Sequence, residues 1–303
     1  RRGEAKYVDV LERIIYNGFL SGISLKGDEF FYPNPLASKG SYKRSKWFST
    51  SCCPVNIARF IPQIPQLAYA TRGDSAYVNL FIESEAELKL KSGTIKLSQK
   101  TEYPWDGSVK ISVDDIKTPE SKLSTLNSKL YIRVPGWCVG RPVPSDLYVQ
   151  TDPGTMADYT VKVNGVPYQF APEKGYCGIE RSWKRGDTVE LSMNMPVRRI
   201  KAHDAVKQDR GRLAVECGPV LYCAEAVDNG GSVLDKAIAA DAKFRRTSCE
   251  ILGNTYPAFT VPAGVLNEGG ARVEPCELKL VPYFSWCHRS IGEMQTWFPV
   301  LLK

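Results

Sequence analysis

Two adjacent cysteines, Cys52 and Cys53, are the residues of this sequence best suited to chemistry. They stand in TSCCPVNIARF (50–60), after a loop and ahead of a helical pattern that Pro54, a favoured first-turn residue, is expected to open. Vicinal cysteines seldom bridge each other, because the small ring strains the peptide between them. At a helix N-terminus, unpaired backbone N–H groups and the helix dipole favour a thiolate, which is both a nucleophile and a metal ligand. Two thiolates can hold one zinc, but a structural zinc site wants four protein ligands, and no other cysteine lies nearby in sequence. The plainer alternative is a pair of buried thiols at a helix cap. His203 and His288 are the only histidines and lie far along the chain from the pair, so a Ser-His-Asp triad or a His-rich metal site has little support.

The elements that must position such a pair are helices first and strands afterwards. In AKYVDVLERIIYNGFLSG, apolar residues Tyr7, Val8, Leu11, Ile14, Ile15, Phe19 and Leu20 mark one helical face, with Gly18 and Gly22 punctuating its end. A loop, ISLKGDEFFYPNPLASKG, follows, and then the helix that carries the cysteines, with Pro62 and Pro65 interrupting it. Residues 3–72 therefore read as mostly helical, the end of a larger helical body. From Gly73–Ala76 the apolar period becomes two. AYVNLFIES, SVKISVDD, SKLYIRVPGW and DYTVKVNGVPYQF alternate as short antiparallel strands of a β-sandwich, with a hairpin turn at Asn164-Gly165. GRLAVECGPVLYCAEAVDN and CELKLVPYFSWCHR add strands for a second sandwich or for completion of the first. The tract 251–271 reads as a long loop. The expected boundaries are 1–74, 75–200 and 201–303, and the class is mainly β with N-terminal helices.

Composition narrows the function classes. The chain has 303 residues, of which 43% are apolar and 24% charged, ordinary for a globular protein of about two domains. No run of 18 apolar residues offers a membrane span. The formal charge of +7 is spread out, and SYKRSKW (41–47) is too short a basic run to argue nucleic-acid binding. Nine cysteines, none in a Cys-x-x-Cys pair, form an odd set that reads as reduced and mostly buried, with Cys217 and Cys223 at core strand positions. The opening segment is amphipathic and is not a signal peptide.

Several separated segments fall in a familiar order: YVDVLERIIYNGFLSGISLKGDEFFYPNPL, WFSTSCCPVNIARF, YVNLFIES, TEYPWDG, IRVPGW, VNG, GY…IERSWKRGDTVEL…MPVR and LVPYFSWCHR. Together they resemble the β-L-arabinofuranosidases of glycoside hydrolase family 127, from about residue 3 to the C-terminus. FFYPNPL with CCPVNIARF is the most specific part. The resemblance implies the last helices of an (α/α)6 barrel followed by antiparallel β-sandwich domains, and a retaining hydrolase that releases terminal β-L-arabinofuranose or a related sugar. It places the nucleophile on Cys52 and zinc on Cys52 and Cys53, and matches Glu12 and Tyr32 to substrate-binding positions. The implied partners are an L-arabinofuranosyl-containing plant glycan or glycoprotein, the upstream barrel segment of the same protein, and a second copy through a β-sandwich. The acid/base glutamate, the other zinc ligands and the cleft histidines of the family are expected upstream of Arg1, so the zinc site is expected to be incomplete in this chain. The implied compartment is cytoplasmic or periplasmic, and the unpaired cysteines lean towards the former. A different class of function, a non-catalytic carbohydrate-binding or dimerisation module, is suggested by the aromatic-rich strands.

Overall fold

A computed structural model describes residues 3–119, 124–152, 158–267, 269 and 271–301. The chain divides into two compact units. One is drawn from residues 1–12, 60–144 and 156–196, the other from residues 13–59, 145–155 and 197–303. The first helix, α1 (Lys6–Ile14), begins in the first unit and ends in the second, continuing as a wide turn, Ile15–Phe19, and a tight one, Leu20–Gly22.

The first unit is built on two sheets. One has six strands, in the order 166–167, 159–163, 188–193, 108–117, 94–101 and 84–89; the other has four, 176–184, 125–133, 75–78 and 69–72. Period-two alternation explains the packing. Ile95, Leu97, Val109, Ile111 and Val113 from the larger sheet, and Leu126, Leu130, Ile132 and Trp183 from the smaller, are all buried. The sheets are also tied by polar groups: Gln99 Nε2 donates to the Tyr69 hydroxyl at 2.9 Å, and that hydroxyl lies 3.0 Å from Ser84 Oγ. The turn between 159–163 and 166–167 uses Asn164 (φ 52°) and Gly165 (φ 78°), as the Asn-Gly pair requires. Two pairings depart from the antiparallel expectation: Ser75–Val78 runs parallel to Thr125–Arg133, and in the second unit Lys236–Ala239 runs parallel to Trp297–Leu301.

The second unit holds an eleven-stranded sheet in which Val220–Glu225, Arg272–Pro282, Asn254–Leu266, Lys236–Ala239, Trp297–Leu301 and Arg212–Cys217 pair in a closed ring. The strands after residue 200, expected to form a second sandwich or to complete the first, belong to this sheet that closes on itself. Its core gathers Ile200, Leu221, Cys223, Cys249, Val281, Tyr283, Trp286, Met294 and Trp297, together with Phe31 from the N-terminal loop. Cys217 and Cys223 occupy buried strand positions as expected, and none of the nine cysteines is in a disulfide.

Four expectations need correction. Residues 3–72 are less helical than their pattern suggests: no helix lies between Gly22 and Cys52, Ala37–Lys39 is a strand paired with Glu293–Gln295, and strand structure resumes already at Tyr69. The second helix, α2 (Cys52–Phe60), starts two residues ahead of Pro54. It ends at Phe60, with a tight turn and a single helical turn around Pro62 and Pro65. Within α1 the apolar face does not supply the buried side: Tyr7 and Ile14 are exposed, and Glu12 is the buried residue. Finally, much of the tract 251–271 is a long strand, Asn254–Leu266, in a hairpin with Arg245–Ile251. Pro257 and Pro262 disguise that strand, and Leu252 (φ 52°) with Gly253 (φ 80°) makes a hairpin turn without the usual Asn.

Candidate active site

Cys52 and Cys53 are the first two residues of α2, in the turn whose backbone N–H groups have no intrahelical acceptor. Pro54 and Ile57 bury the inner side of the helix and leave Cys52 exposed and Cys53 half-buried. The two sulfurs lie 3.6 Å apart, so they face one another without a bond. Asn56 Nδ2 donates to the Cys52 carbonyl at 2.9 Å, tying down the start of the helix.

Tyr32 joins them. Its ring meets Phe48 edge-on at 5.5 Å, it is 56% exposed, and its hydroxyl lies beside the cysteine pair. The charge of Cys52 and hydrogen bonding with it hold the Tyr32 hydroxyl above the usual phenol range. Burial, then the hydrogen bond and charge of Cys52, push the Cys53 thiol up. A thiol, a second thiol and a phenol therefore share one solvent-facing edge of the second unit.

Glu12 is placed otherwise. It is 2% exposed inside the first unit, where both its oxygens accept from the Arg133 guanidinium and Oε1 also accepts from the Tyr103 hydroxyl at 3.0 Å. Arg133 itself is fully buried, pairs with Asp9 at 2.8 Å and donates to the Asn79 carbonyl. Burial lifts the Glu12 carboxyl above its ordinary range, against the pull of Arg133. Of the four residues singled out by sequence, the structure brings Cys52, Cys53 and Tyr32 together and sets Glu12 in a buried ion-pair network. His288 is structural in its contacts: its Nε2 accepts from the Leu25 N–H at 2.9 Å, and its Nδ1 lies 2.7 Å from the Ser285 carbonyl. His203 is exposed, 3.8 Å from Asp146.

The donor set bears on zinc. Two thiolates about 2.3 Å from a tetrahedral zinc stand about 3.8 Å apart, close to the 3.6 Å between these sulfurs. The pair thus fits as half of a site. No group of three or more potential His, Cys, Asp or Glu ligands is present among the described residues.

Sequence reasoning missed what holds Tyr32 in place. The loop that carries it rests on the segment Tyr283–His288, whose motif LVPYFSWCHR was visible in sequence but read as strand. The strand ends at Pro282, and a tight turn, Tyr283–Ser285, follows.

Three family profiles match consecutive parts of the chain: the β-L-arabinofuranosidase GH127 catalytic domain over residues 1–66, the GH127 middle domain over 75–195, and the glycoside hydrolase family 127 C-terminal domain over 197–299. A non-reducing end β-L-arabinofuranosidase of Bifidobacterium longum subsp. longum is 32% identical over 323 residues, which cover 96% of this chain and 45% of that protein. A solved GH127 β-arabinofuranosidase superposes with a TM-score of 0.91 at 40% identity, over 99% of this chain and 46% of that one. A GH127 β-L-arabinofuranosidase from Geobacillus stearothermophilus superposes with a TM-score of 0.83 at 34% identity, over 99% and 47%. The chain spans about half the length of the relatives it matches.

Proposed function

This chain belongs to glycoside hydrolase family 127, and on that premise we propose that it supplies the nucleophile-bearing part of a retaining glycosidase that releases terminal β-L-arabinofuranose or a related sugar. The observation that carries the reading is the exposed Cys52 at the start of α2, its sulfur 3.6 Å from that of Cys53.

In the proposed reaction the Cys52 thiolate attacks the anomeric carbon. The C–S bond forms as the glycosidic C–O bond breaks, and the electron pair leaves with the aglycone oxygen, which takes a proton from a general acid. Water then displaces the sulfur with a second inversion, giving net retention. Tyr32 is suited to hydrogen-bond a sugar hydroxyl beside the reacting carbon. Cys52 and Cys53 would be zinc ligands, and a bound zinc would keep its thiols deprotonated. The remaining ligands and the general acid are assigned to an upstream helical barrel of the same protein. The half-length match and the exposed apolar side chains Tyr7 and Ile14 on α1 support that assignment.

The test is turnover of an aryl β-L-arabinofuranoside by the full-length protein and by its Cys52→Ala and Cys52→Ser variants. Hydrolysis with retained configuration that both substitutions abolish is the expected result. An undiminished rate in Cys52→Ala would remove Cys52 from the mechanism.

A further inference from the structure

Tyr32 projects into solvent, so its position is set through the backbone on either side of it. Three contacts from one segment fix that backbone within the second unit. The Phe31 ring stacks on Trp286 at 4.7 Å and 15°. The buried Tyr283 hydroxyl reaches both Asn34 Oδ1 at 3.0 Å and the Pro35 carbonyl at 2.7 Å. The Leu25 N–H donates to His288 Nε2. Arg44 completes the clamp: its guanidinium lies 4.2 Å from the Phe31 ring centre and donates to the carbonyls of Ser21, Phe284 and Trp286. Asn34 in turn donates to the Gly18 carbonyl at 2.9 Å, carrying the tie back to the end of the first helical path.

We infer that Tyr283 is a positioning residue for the reaction, holding the 31–35 loop through Asn34 and Pro35 so that Tyr32 keeps its place beside the cysteine pair. The inference rests on the glycosidase reading for its kinetic consequence and on the geometry alone for its structural one. Tyr283 is itself fully buried in the core of the closed sheet, and its hydroxyl reaches the loop directly. Its ring can remain packed when the hydroxyl is removed, whereas the loop loses both of the contacts that this hydroxyl makes to it.

The experiment is a double-mutant cycle on the full-length protein, using wild type, Tyr283→Phe, Tyr32→Phe and the double variant. Displacements of about 1 Å at a reacting centre can cost roughly a hundredfold, so a loosened loop is expected to lower kcat/KM about tenfold for Tyr283→Phe. In the Tyr32→Phe background the same change is expected to cost less than about threefold, because the group being positioned is gone. The second readout needs no turnover: the rate of Cys52 alkylation by iodoacetamide, followed by peptide mass spectrometry, should change on Tyr283→Phe only when the Tyr32 hydroxyl is present. Equal penalties in both backgrounds, or unchanged kcat/KM and alkylation in Tyr283→Phe, would overturn the inference. Should wild type fail to hydrolyse any arabinofuranoside, the glycosidase reading falls while the alkylation cycle still decides the positioning role. If Tyr283→Phe does not fold, Asn34→Ala removes one of the two acceptors from an exposed position and is run through the same cycle.

Discussion

At the scale of single residues, the thiol pair and the carboxylate that the family resemblance singled out have opposite surroundings. Cys52 and Cys53 face solvent, where a reagent can reach sulfur, whereas Glu12 spends both oxygens on Arg133. Removing one member of a buried pair leaves an uncompensated charge, which costs about 3–5 kcal/mol, while a neutral isostere loses only part of a hydrogen-bonded pair, about 1–3 kcal/mol. Arg133→Ala is therefore expected to cost more in urea unfolding than Glu12→Gln. Glu12→Gln is expected to shift the midpoint with little effect on KM; a raised KM at unchanged stability would support the substrate-binding role that the resemblance matched to Glu12. For the thiols, Cys53→Ala in the full-length protein is expected to lose bound zinc by metal analysis of the purified protein. Full zinc occupancy in that variant would remove Cys53 from the ligand set.

At the scale of elements, the clamp around residues 283–288 makes stability depend on pH. His288 is held neutral by burial, reinforced by the nearby Arg44 and Arg289 charges, and its folded pKa is lowered from 6.5 to about 4. A base with a depressed folded pKa contributes stability that is whole above the unfolded value and is lost as pH falls towards the folded one. The Tm should thus decline between about pH 6.5 and 4 through this group, and His288→Gln should flatten that part of the profile. An unchanged slope in His288→Gln would show that other groups carry the decline. How far such elements could be read in advance differed by kind. The strands around Asn164-Gly165 were legible because turn chemistry and alternation agreed. The strand Asn254–Leu266 was not, because its prolines and a turn with leucine at positive φ mimic a loop. The cysteine pair was legible from residue type and helix start, and Tyr32 only through resemblance. The clamp was hidden because it depends on contacts between residues about 250 positions apart, which no local period encodes.

At the scale of the whole molecule, the proposed reading gives this chain a nucleophile, a phenol and half of a metal site, and on that reading those parts need completion to become a catalyst. A glycosidase must protonate its leaving oxygen, and general acid catalysis is typically worth about 10² to 10⁴ in rate. The two thiols also lack partners that would fix a zinc ion, since no third or fourth ligand accompanies them among the described residues. Weak metal binding loosens the orientation of a ligating thiol, because outer partners and full coordination together set its direction. Residues 1–303 expressed alone are accordingly expected to fold, to bind zinc weakly, and to release no detectable sugar from an aryl β-L-arabinofuranoside under conditions where the full-length protein turns over. Mixing the chain with a separately produced upstream segment should recover zinc binding and turnover together if the apolar side chains Tyr7 and Ile14 mark where that segment covers α1. Tyr7→Ser with Ile14→Ser should then weaken the recovery. Clear turnover by residues 1–303 alone would mean that the acid and the metal ligands lie within this chain, contrary to the division of labour proposed for the two halves.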